Sequence, residues 1–186
     1  YYLWVNGERG GYAEDSKLPS EFNITRFLRT GKATIAIELY RFADGSYLED
    51  QDFWRVNGIE RSVFLYAAPP TRLRDFEARA GLEASFRDGT LELVVDVAGP
   101  DRGGRVRATV LEGDRELLRL ATGVGAAGKP VTLKGVIPGV RAWTAETPNL
   151  YTLLIELLDR NQRLVEATSR RIGFRTVAIV DGEVRV

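Results

Sequence analysis

The chain of 186 residues contains no cysteine, no methionine and no histidine, and its 26 basic residues balance 26 acidic residues. Without cysteine and histidine there is no disulfide framework, thiol nucleophile, thiolate metal site or imidazole proton shuttle, so any chemistry must use carboxylates, hydroxyls, lysine, arginine or the backbone. The balanced charge argues against a nucleic-acid-binding protein, and no apolar run approaches the ~20 residues of a membrane span.

The start of the chain predicts a piece of a longer protein. A translated chain begins with methionine, and this chain has none, so Tyr1 is not expected to be the native start. No signal peptide opens the chain. The compartment stays open, with a cytoplasmic location favoured over export.

Residues 1–67 show a strand pattern that does not amount to a whole domain. The strand-like runs are YYLWV (1–5), which begins mid-strand, TIAIELY (34–40) and VFLYA (63–67). Asn6-Gly7 signals a tight turn, 12–22 is interpreted as a loop, and 25–30 is at most a short helix. The four or five strands expected here are about half of the eight that a jelly roll needs, so the module is predicted to be truncated.

The stretch 44–55 (DGSYLEDQDFWR) combines carboxylates with aromatic rings. Glu49, Asp50 and Asp52 lie close together in sequence, beside a tyrosine, a phenylalanine and a tryptophan. Clustered carboxylate oxygens suit a hard cation such as Na⁺, Ca²⁺ or Mg²⁺. They also accept hydrogen bonds from hydroxyl-rich ligands, and an aromatic face can lie against a sugar ring. The alternative is that the acids are solvated loop residues or ion-pair partners of neighbouring arginines.

Ala68-Pro69-Pro70 marks a predicted domain boundary, because proline cannot donate to a sheet ladder. The diproline precedes one strand, and further strand-like runs continue to about residue 180: 90–97, 105–111, 115–121, 131–137, 151–158 and 163–171. About seven strands match an immunoglobulin-like sandwich, here without the disulfide. The sequence therefore predicts an all-β fold, although part of 151–158 would also suit a short helix.

Two further motifs have structural interpretations. Residues 123–128 (GVGAAG) match a dinucleotide-binding pattern as a string, but no helix follows to hold a pyrophosphate, so we interpret them as a loop. In the segment 143–151, Trp143 and Tyr151 bracket Pro148. This arrangement is typical of a plug at the corner of a β-sandwich and predicts core packing.

Three stretches resemble the large β-galactosidases of glycoside hydrolase family 2. They are WVNGERGGYAEDSKLPSEFNIT, then DGSYLEDQDFWRVNGIERSVFLYAAP, then WTAETPNLYTLLIEL with IGFRTV. The resemblance covers essentially the whole chain in the right order. The segment YLEDQDFWR is specific to that group, whereas the Trp…Pro-Asn-Leu-Tyr segment is shared across the wider family.

The resemblance implies a division into three parts. Residues 1–67 would be the C-terminal part of a sugar-binding jelly roll of galactose-binding type. Residues 68–179 would be the immunoglobulin-like sandwich, and 180–186 would begin the link to an absent catalytic (β/α)₈ barrel. The two catalytic glutamates of such retaining enzymes lie on that barrel. No catalytic residue is therefore expected in this chain, which alone would be inactive.

One binding residue carries over from the resemblance. Asp52 corresponds to the second aspartate of the family's Asp-Gln-Asp triplet, which is associated with galactose hydroxyls and a bound Na⁺ at the mouth of the barrel. Glu49 and Asp50 would support it, and Mg²⁺ is expected only in the barrel of the parent enzyme.

The resemblance thus implies the accessory region of a retaining β-galactosidase that hydrolyses terminal β-D-galactose residues in β-galactosides. The parent is expected to be a homo-oligomer, with a β-galactoside as partner and no nucleic acid or membrane. A stand-alone carbohydrate-binding module is the main alternative, followed by an adhesion protein of immunoglobulin-like units. A β-glucuronidase or β-mannosidase of the same family is a further alternative.

Overall fold

The computed structural model describes residues 1–14, 18–48, 58–99, 103–124 and 129–185. The chain divides into two compact units, Tyr1–Leu65 and Tyr66–Val186. Most of the regular secondary structure in each unit is antiparallel strand, so the all-β class predicted from the sequence is confirmed. Within the described ranges, no helix has the length and apolar character needed to cross a membrane.

A three-stranded antiparallel sheet in the order β2-β1-β3 forms the first unit. Its strands are β1 (Tyr2–Val5), β2 (Glu8–Tyr12) and β3 (Ile35–Glu38). The predicted turn at Asn6-Gly7 joins β1 to β2, and φ is positive at both residues (52° and 83°). A type I′ turn requires such angles, and its twist matches that of the two strands.

One face of this sheet carries the core of the first unit. Because side chains alternate along a strand, Leu3 and Val5 point to the buried face while Tyr2 and Trp4 point to the other. Leu3 and Val5 pack against Phe27, which lies in a 3₁₀ turn where the sequence predicted a short helix. Three partly buried side chains complete the cluster: Phe22, Ile24 and Ile37.

The predicted strand at 63–67 is wrong. No strand is found in the described segment 58–70, and Val63, Phe64 and Leu65 are 66%, 77% and 69% exposed. An apolar pattern provides a face that can be buried, but a β-strand also needs a neighbouring strand with which to form backbone hydrogen bonds. No described strand pairs with this segment. The described part of the first unit therefore holds three strands, the 3₁₀ turn Thr25–Phe27 and one α-helical turn, α1 (Gly45–Leu48).

Seven strands in two sheets form the immunoglobulin-like sandwich of the second unit. They are β4 (Arg72–Leu82), β5 (Gly89–Ala98), β6 (Arg105–Glu112), β7 (Arg115–Gly123), β8 (Val131–Ile137), β9 (Tyr151–Leu158) and β10 (Leu164–Ile172). One sheet has the order β4-β5-β8 and the other β10-β9-β6-β7. A hairpin follows, in which β11 (Ala178–Val180) and β12 (Glu183–Arg185) flank the predicted Asp181-Gly182 turn.

Alternating apolar residues of the central strands fill the space between the two sheets. These residues are at most 2% exposed: Leu91, Leu93 and Val95 in β5, Val106, Ala108 and Val110 in β6, and Leu153, Ile155 and Leu157 in β9. The segment 151–158 is thus a strand and not a helix, because its period-two pattern matches the sheet. Truncating one of these side chains, as in Ile155→Ala, costs about 2–5 kcal/mol.

The edge strand β4 contains a bulge that hides its pattern in the sequence. Leu73 and Phe76 both pack against the core although three positions separate them, because the register shifts between Leu73 and Asp75. At this bulge the backbone N–H of Leu73 donates to Oε2 of Glu166 in β10 at 2.6 Å. A side chain of one sheet therefore satisfies a backbone donor of the other.

The segment 143–151 closes one corner of the sandwich, as predicted. Tyr151 is buried, its ring meets Phe174 edge-on with centroids 5.2 Å apart, and its hydroxyl accepts from the backbone N–H of Arg141 at 2.7 Å. Trp143 is half-buried and donates its backbone N–H to Phe174 O at 2.9 Å. A Cβ at Gly173 would lie 2.9 Å from the Cβ of Trp143, so this close approach requires glycine.

Candidate functional site

The predicted ligand residue Asp52 and its neighbours Glu49 and Asp50 lie outside the described residues. The chain is described up to Leu48, at the end of α1, and again from Gly58. The role of Asp52 in binding a sugar and a cation therefore stays a prediction. Its carboxylate chemistry suits Na⁺, and no group of three or more acidic residues that could hold a metal ion occurs among the described residues.

The helical turn α1 leads the chain into this acidic segment. Backbone hydrogen bonds hold the turn, from Ser46 N to Ala43 O at 3.0 Å and from Tyr47 N to Asp44 O at 3.1 Å. Tyr47 and Leu48 are 79% and 78% exposed. The acidic segment is therefore preceded by an aromatic ring and an aliphatic side chain that both face solvent.

The outer face of the sheet β2-β1-β3 carries a cluster of aromatic and charged side chains. Cross-strand pairing puts Tyr2 opposite both Tyr12 and Glu38, and Trp4 opposite both Arg9 and Ala36. Residues directly opposite on one face lie about 4.5–5.5 Å apart at Cβ. We call this cluster the tyrosine face and define it as Tyr2, Trp4, Arg9, Tyr12, Glu38 and Tyr40.

Ring contacts connect the side chains of the tyrosine face. The rings of Tyr2 and Tyr12 lie 4.9 Å apart between centroids, and Tyr40 meets Tyr2 edge-on at 5.9 Å. The guanidinium of Arg9 lies over the ring of Tyr2, with Cζ 4.5 Å from the ring centroid. These contacts hold the side chains as one surface, of which Tyr12 and Tyr40 expose 44% and 56%.

Hydrogen bonds fix two carboxylates at this surface. The Tyr40 hydroxyl donates to Oε1 of Glu38 at 2.7 Å, and the Trp4 indole Nε1 donates to Oε2 at 3.3 Å. The hydroxyl of Tyr12 donates to Glu14. The hydrogen bond to the Glu38 carboxylate and its negative charge raise the pKa of Tyr40 above its usual value.

The second unit carries its clearest ion pair on the outer face of the four-stranded sheet. Arg107 Nε and NH2 contact the two oxygens of Glu156 at 2.6 and 2.7 Å. The hydrogen bonds lower the pKa of Glu156 and raise that of Arg107. This bidentate pair joins β6 to β9 and satisfies both partners, so it is interpreted as structural.

Comparison with known protein families identifies both units. Residues 1–69 match the family model of the sugar binding domain of glycosyl hydrolases family 2, and residues 71–175 match a second domain model of glycosyl hydrolases family 2. The chain belongs to glycosyl hydrolase family 2. The partial jelly roll followed by an immunoglobulin-like sandwich, expected from the sequence, is the arrangement of these family 2 domains.

Curated relatives of this family 2 chain are similar over its whole length. A β-galactosidase of Priestia megaterium (strain DSM 319) is 40% identical over 190 residues, covering 98% of this chain and 18% of that protein. A β-galactosidase of Vibrio vulnificus (strain YJ016) is 37% identical over 195 residues, covering 100% of this chain and 19% of that protein. The chain therefore spans about a fifth of the length of these relatives.

Solved structures of family members share the fold at low sequence identity. An FMN-binding β-glucuronidase from Faecalibacterium prausnitzii L2-6 has a TM-score of 0.85 at 21% identity, covering 99% of this chain and 29% of that chain. A β-glycosidase from Bacteroides vulgatus has a TM-score of 0.78 at 21% identity, covering 96% and 22%. At this identity the likeness concerns the fold alone.

The tyrosine face is the cluster that sequence reasoning missed. Five of its members lie in three strands and Tyr40 follows β3, and only the register β2-β1-β3 brings Tyr2, Tyr12 and Glu38 into one row. A signal was present in β1, where the aromatic residues Tyr2 and Trp4 alternate with the buried residues of the opposite face. Aromatic residues at the polar positions of an alternating strand therefore indicate an aromatic cluster on the exposed face of a sheet.

Proposed function

We propose that this chain is the non-catalytic accessory region of a retaining β-galactosidase, which hydrolyses terminal β-D-galactose residues in β-galactosides. The observation that carries the proposal is the identity of 34–40% to curated β-galactosidases along 98–100% of the chain. The β-glucuronidases among the structural neighbours are near 20% identical, so they bear on the fold and not on the sugar.

The division of labour in the proposed enzyme follows from the two family domains. Residues 1–67 form the sugar-binding part, 68–179 the immunoglobulin-like sandwich, and 180–186 the start of the link to a catalytic barrel. The division into compact units after Leu65 supports the first boundary. Hydrolysis with retention uses two carboxylates about 5–5.5 Å apart, which the barrel of the longer protein would supply.

In this proposal Asp52 contributes to the sugar site rather than to bond cleavage. Its carboxylate would accept hydrogen bonds from galactose hydroxyls and share an oxygen with Na⁺, while Glu49 and Asp50 support it. Holding the sugar in one orientation lowers the entropy that must be lost on the way to the transition state. The bound Na⁺ would supply a fixed positive charge near the sugar.

The substitution Asp52→Asn in the longer protein tests this role. Losing a charge-assisted hydrogen bond of about 1.5–3 kcal/mol predicts a fall in kcat/KM for a nitrophenyl β-D-galactoside of about 10- to 100-fold. The dependence of the rate on Na⁺ concentration is expected to weaken as well. The charge-matched control is Asp114→Asn, in the exposed turn between β6 and β7, which should leave both quantities unchanged.

Thermal unfolding of both variants checks that the fold is intact. If Asp52→Asn leaves kcat/KM and the Na⁺ response like those of Asp114→Asn, Asp52 is a solvated loop acid and the proposed role is wrong. If the longer protein prefers a β-D-glucuronide or β-D-mannoside to the β-D-galactoside, the proposed substrate class is wrong.

A further inference from the structure

We propose that the tyrosine face is a second carbohydrate-binding site, separate from Asp52, which binds a neutral oligosaccharide. None of its residues belongs to the acidic segment around Asp52, and all of them are described in the structure. The inference therefore does not depend on the proposed role of Asp52. It assigns to the first unit a surface that would hold a polymeric or oligomeric substrate.

The dimensions of the tyrosine face suit two linked sugar rings. Its side chains come from the adjacent strands β2, β1 and β3 and from Tyr40, two residues after β3. Strands about 4.8 Å apart give a width of about 10 Å across three strands, close to the length of a disaccharide. In the second row a small side chain, that of Ala36, lies opposite Trp4.

The tyrosine face offers aromatic rings for the apolar C–H face of a sugar and charged groups for the sugar hydroxyls. The C–H face of a pyranose packs on aromatic rings, and Tyr12 and Tyr40 offer partly exposed rings for this contact. The carboxylate of Glu38 and the guanidinium of Arg9 bind hydroxyl groups through charge-assisted hydrogen bonds. Because Tyr40 and Trp4 already hold the Glu38 carboxylate, less side-chain entropy is lost on binding.

The charge of the surface favours a neutral ligand over a nucleic acid. Single-stranded nucleic acids also stack on aromatic platforms, but they need a positively charged groove for their phosphates. Here Arg9 is accompanied by two carboxylates, Glu38 at the end of the edge strand β3 and Glu14 just after β2, where it accepts from Tyr12. These carboxylates repel phosphate and leave hydroxyl groups as suitable partners.

Calorimetric titration of the full 186-residue chain with lactose and with β-1,4-linked galactotetraose tests the inference. We expect millimolar binding that is stronger for the tetrasaccharide, because it covers more of the platform. Tyr40→Ala and Tyr12→Ala each remove an exposed ring outside the core and should weaken binding by about tenfold. Tyr47→Ala is the matched control, since Tyr47 is also an exposed tyrosine of the first unit but lies outside the face. Asp52→Asn is titrated in parallel, because Asp52 belongs to the sugar site proposed for the longer protein.

Several results would overturn the inference. They are the absence of binding by the wild-type chain, equal losses in Tyr47→Ala and Tyr40→Ala, and a loss in Asp52→Asn that exceeds the loss in the face variants. The last result would leave the proposed role of Asp52 standing while removing the second site. Light scattering provides a further check: a dimer that Tyr40→Ala converts to a monomer would show that the face binds another copy of the chain.

Discussion

Asn6 connects three parts of the first unit, and its substitution should loosen the hairpin that carries the tyrosine face. Its side chain accepts from the backbone N–H of Thr34 at 2.9 Å and donates through Nδ2 to the carbonyl of Phe27 at 2.9 Å. Its backbone N–H also donates to Thr34 O. Asn6 therefore joins the β1–β2 turn to the 3₁₀ turn and to the residue before β3, with φ at 52°.

Two substitutions separate the hydrogen bonds of Asn6 from its backbone conformation. Asn6→Gly removes both side-chain hydrogen bonds, each worth about 0.5–1.5 kcal/mol, but keeps the left-handed φ accessible, so the first unit should lose about 1–3 kcal/mol. Asn6→Ala loses the same hydrogen bonds and, relative to the glycine variant, carries a cost of about 1–2 kcal/mol for a Cβ in the left-handed region. The order of stability is therefore predicted to be wild type, then Gly, then Ala.

Amide hydrogen exchange measures these losses in each unit separately. The free energy of opening should fall for amides of β1 and β3, while amides of β9 in the second unit serve as an internal control and should not change. If Asn6→Gly lowers the opening free energy of β1 by less than about 0.5 kcal/mol, the side-chain hydrogen bonds do not hold the hairpin. If Ala is as stable as Gly, the left-handed backbone is not the cause of the difference.

Two further predictions concern the second unit. Gly173→Ala places a Cβ about 2.9 Å from three atoms of Trp143 and should lower the calorimetric Tm of the second unit. The control is Gly123→Ala, whose Cβ would have no atom within 4 Å and should leave the Tm unchanged. Equal Tm values for the two variants would contradict the close approach of Gly173 to Trp143. The hydrogen bonds from Arg107 lower the pKa of Glu156 in the folded state. The pair therefore stabilises the fold fully at pH values above the ordinary pKa of 4.5, and this stabilisation is lost as the pH falls through the lowered pKa. In urea titrations, the free energy of unfolding of Glu156→Gln should therefore fall less than that of the wild type as the pH is lowered from pH 6 into the acid range. If the free energies of both proteins fall by the same amount, the pair does not contribute this pH-dependent stability.

Regular alternation made the sandwich predictable from the sequence. The runs 90–97, 105–111 and 151–158 place an apolar residue at every second position, and each forms a strand whose apolar side chains fill the core. The same reasoning was wrong at 63–67, because alternation describes one strand and says nothing about whether a neighbour is present. The bulge in β4 interrupts the alternation between Leu73 and Phe76, which is why no clear strand pattern is visible there in the sequence.

The candidate sites differ in how far sequence reasoning could reach. Asp52 was singled out by its resemblance to a family motif, because its carboxylate neighbours alone favoured solvated loop residues or ion-pair partners of nearby arginines. The tyrosine face required the register of three strands, which joins residues up to 36 positions apart, as in Tyr2 and Glu38. Local patterns predict which face of a strand is buried, whereas the composition of an exposed face depends on non-local pairing.

The most direct test of the proposed function compares the 186-residue chain with the longer protein that contains it. Hydrolysis of nitrophenyl β-D-galactoside, β-D-glucuronide and β-D-mannoside would be measured for both at equal molar concentration. The account predicts that the longer protein hydrolyses the β-D-galactoside with the highest kcat/KM and that the 186-residue chain shows no turnover above background. Turnover by the pure chain, or a preference of the longer protein for another sugar, would contradict it.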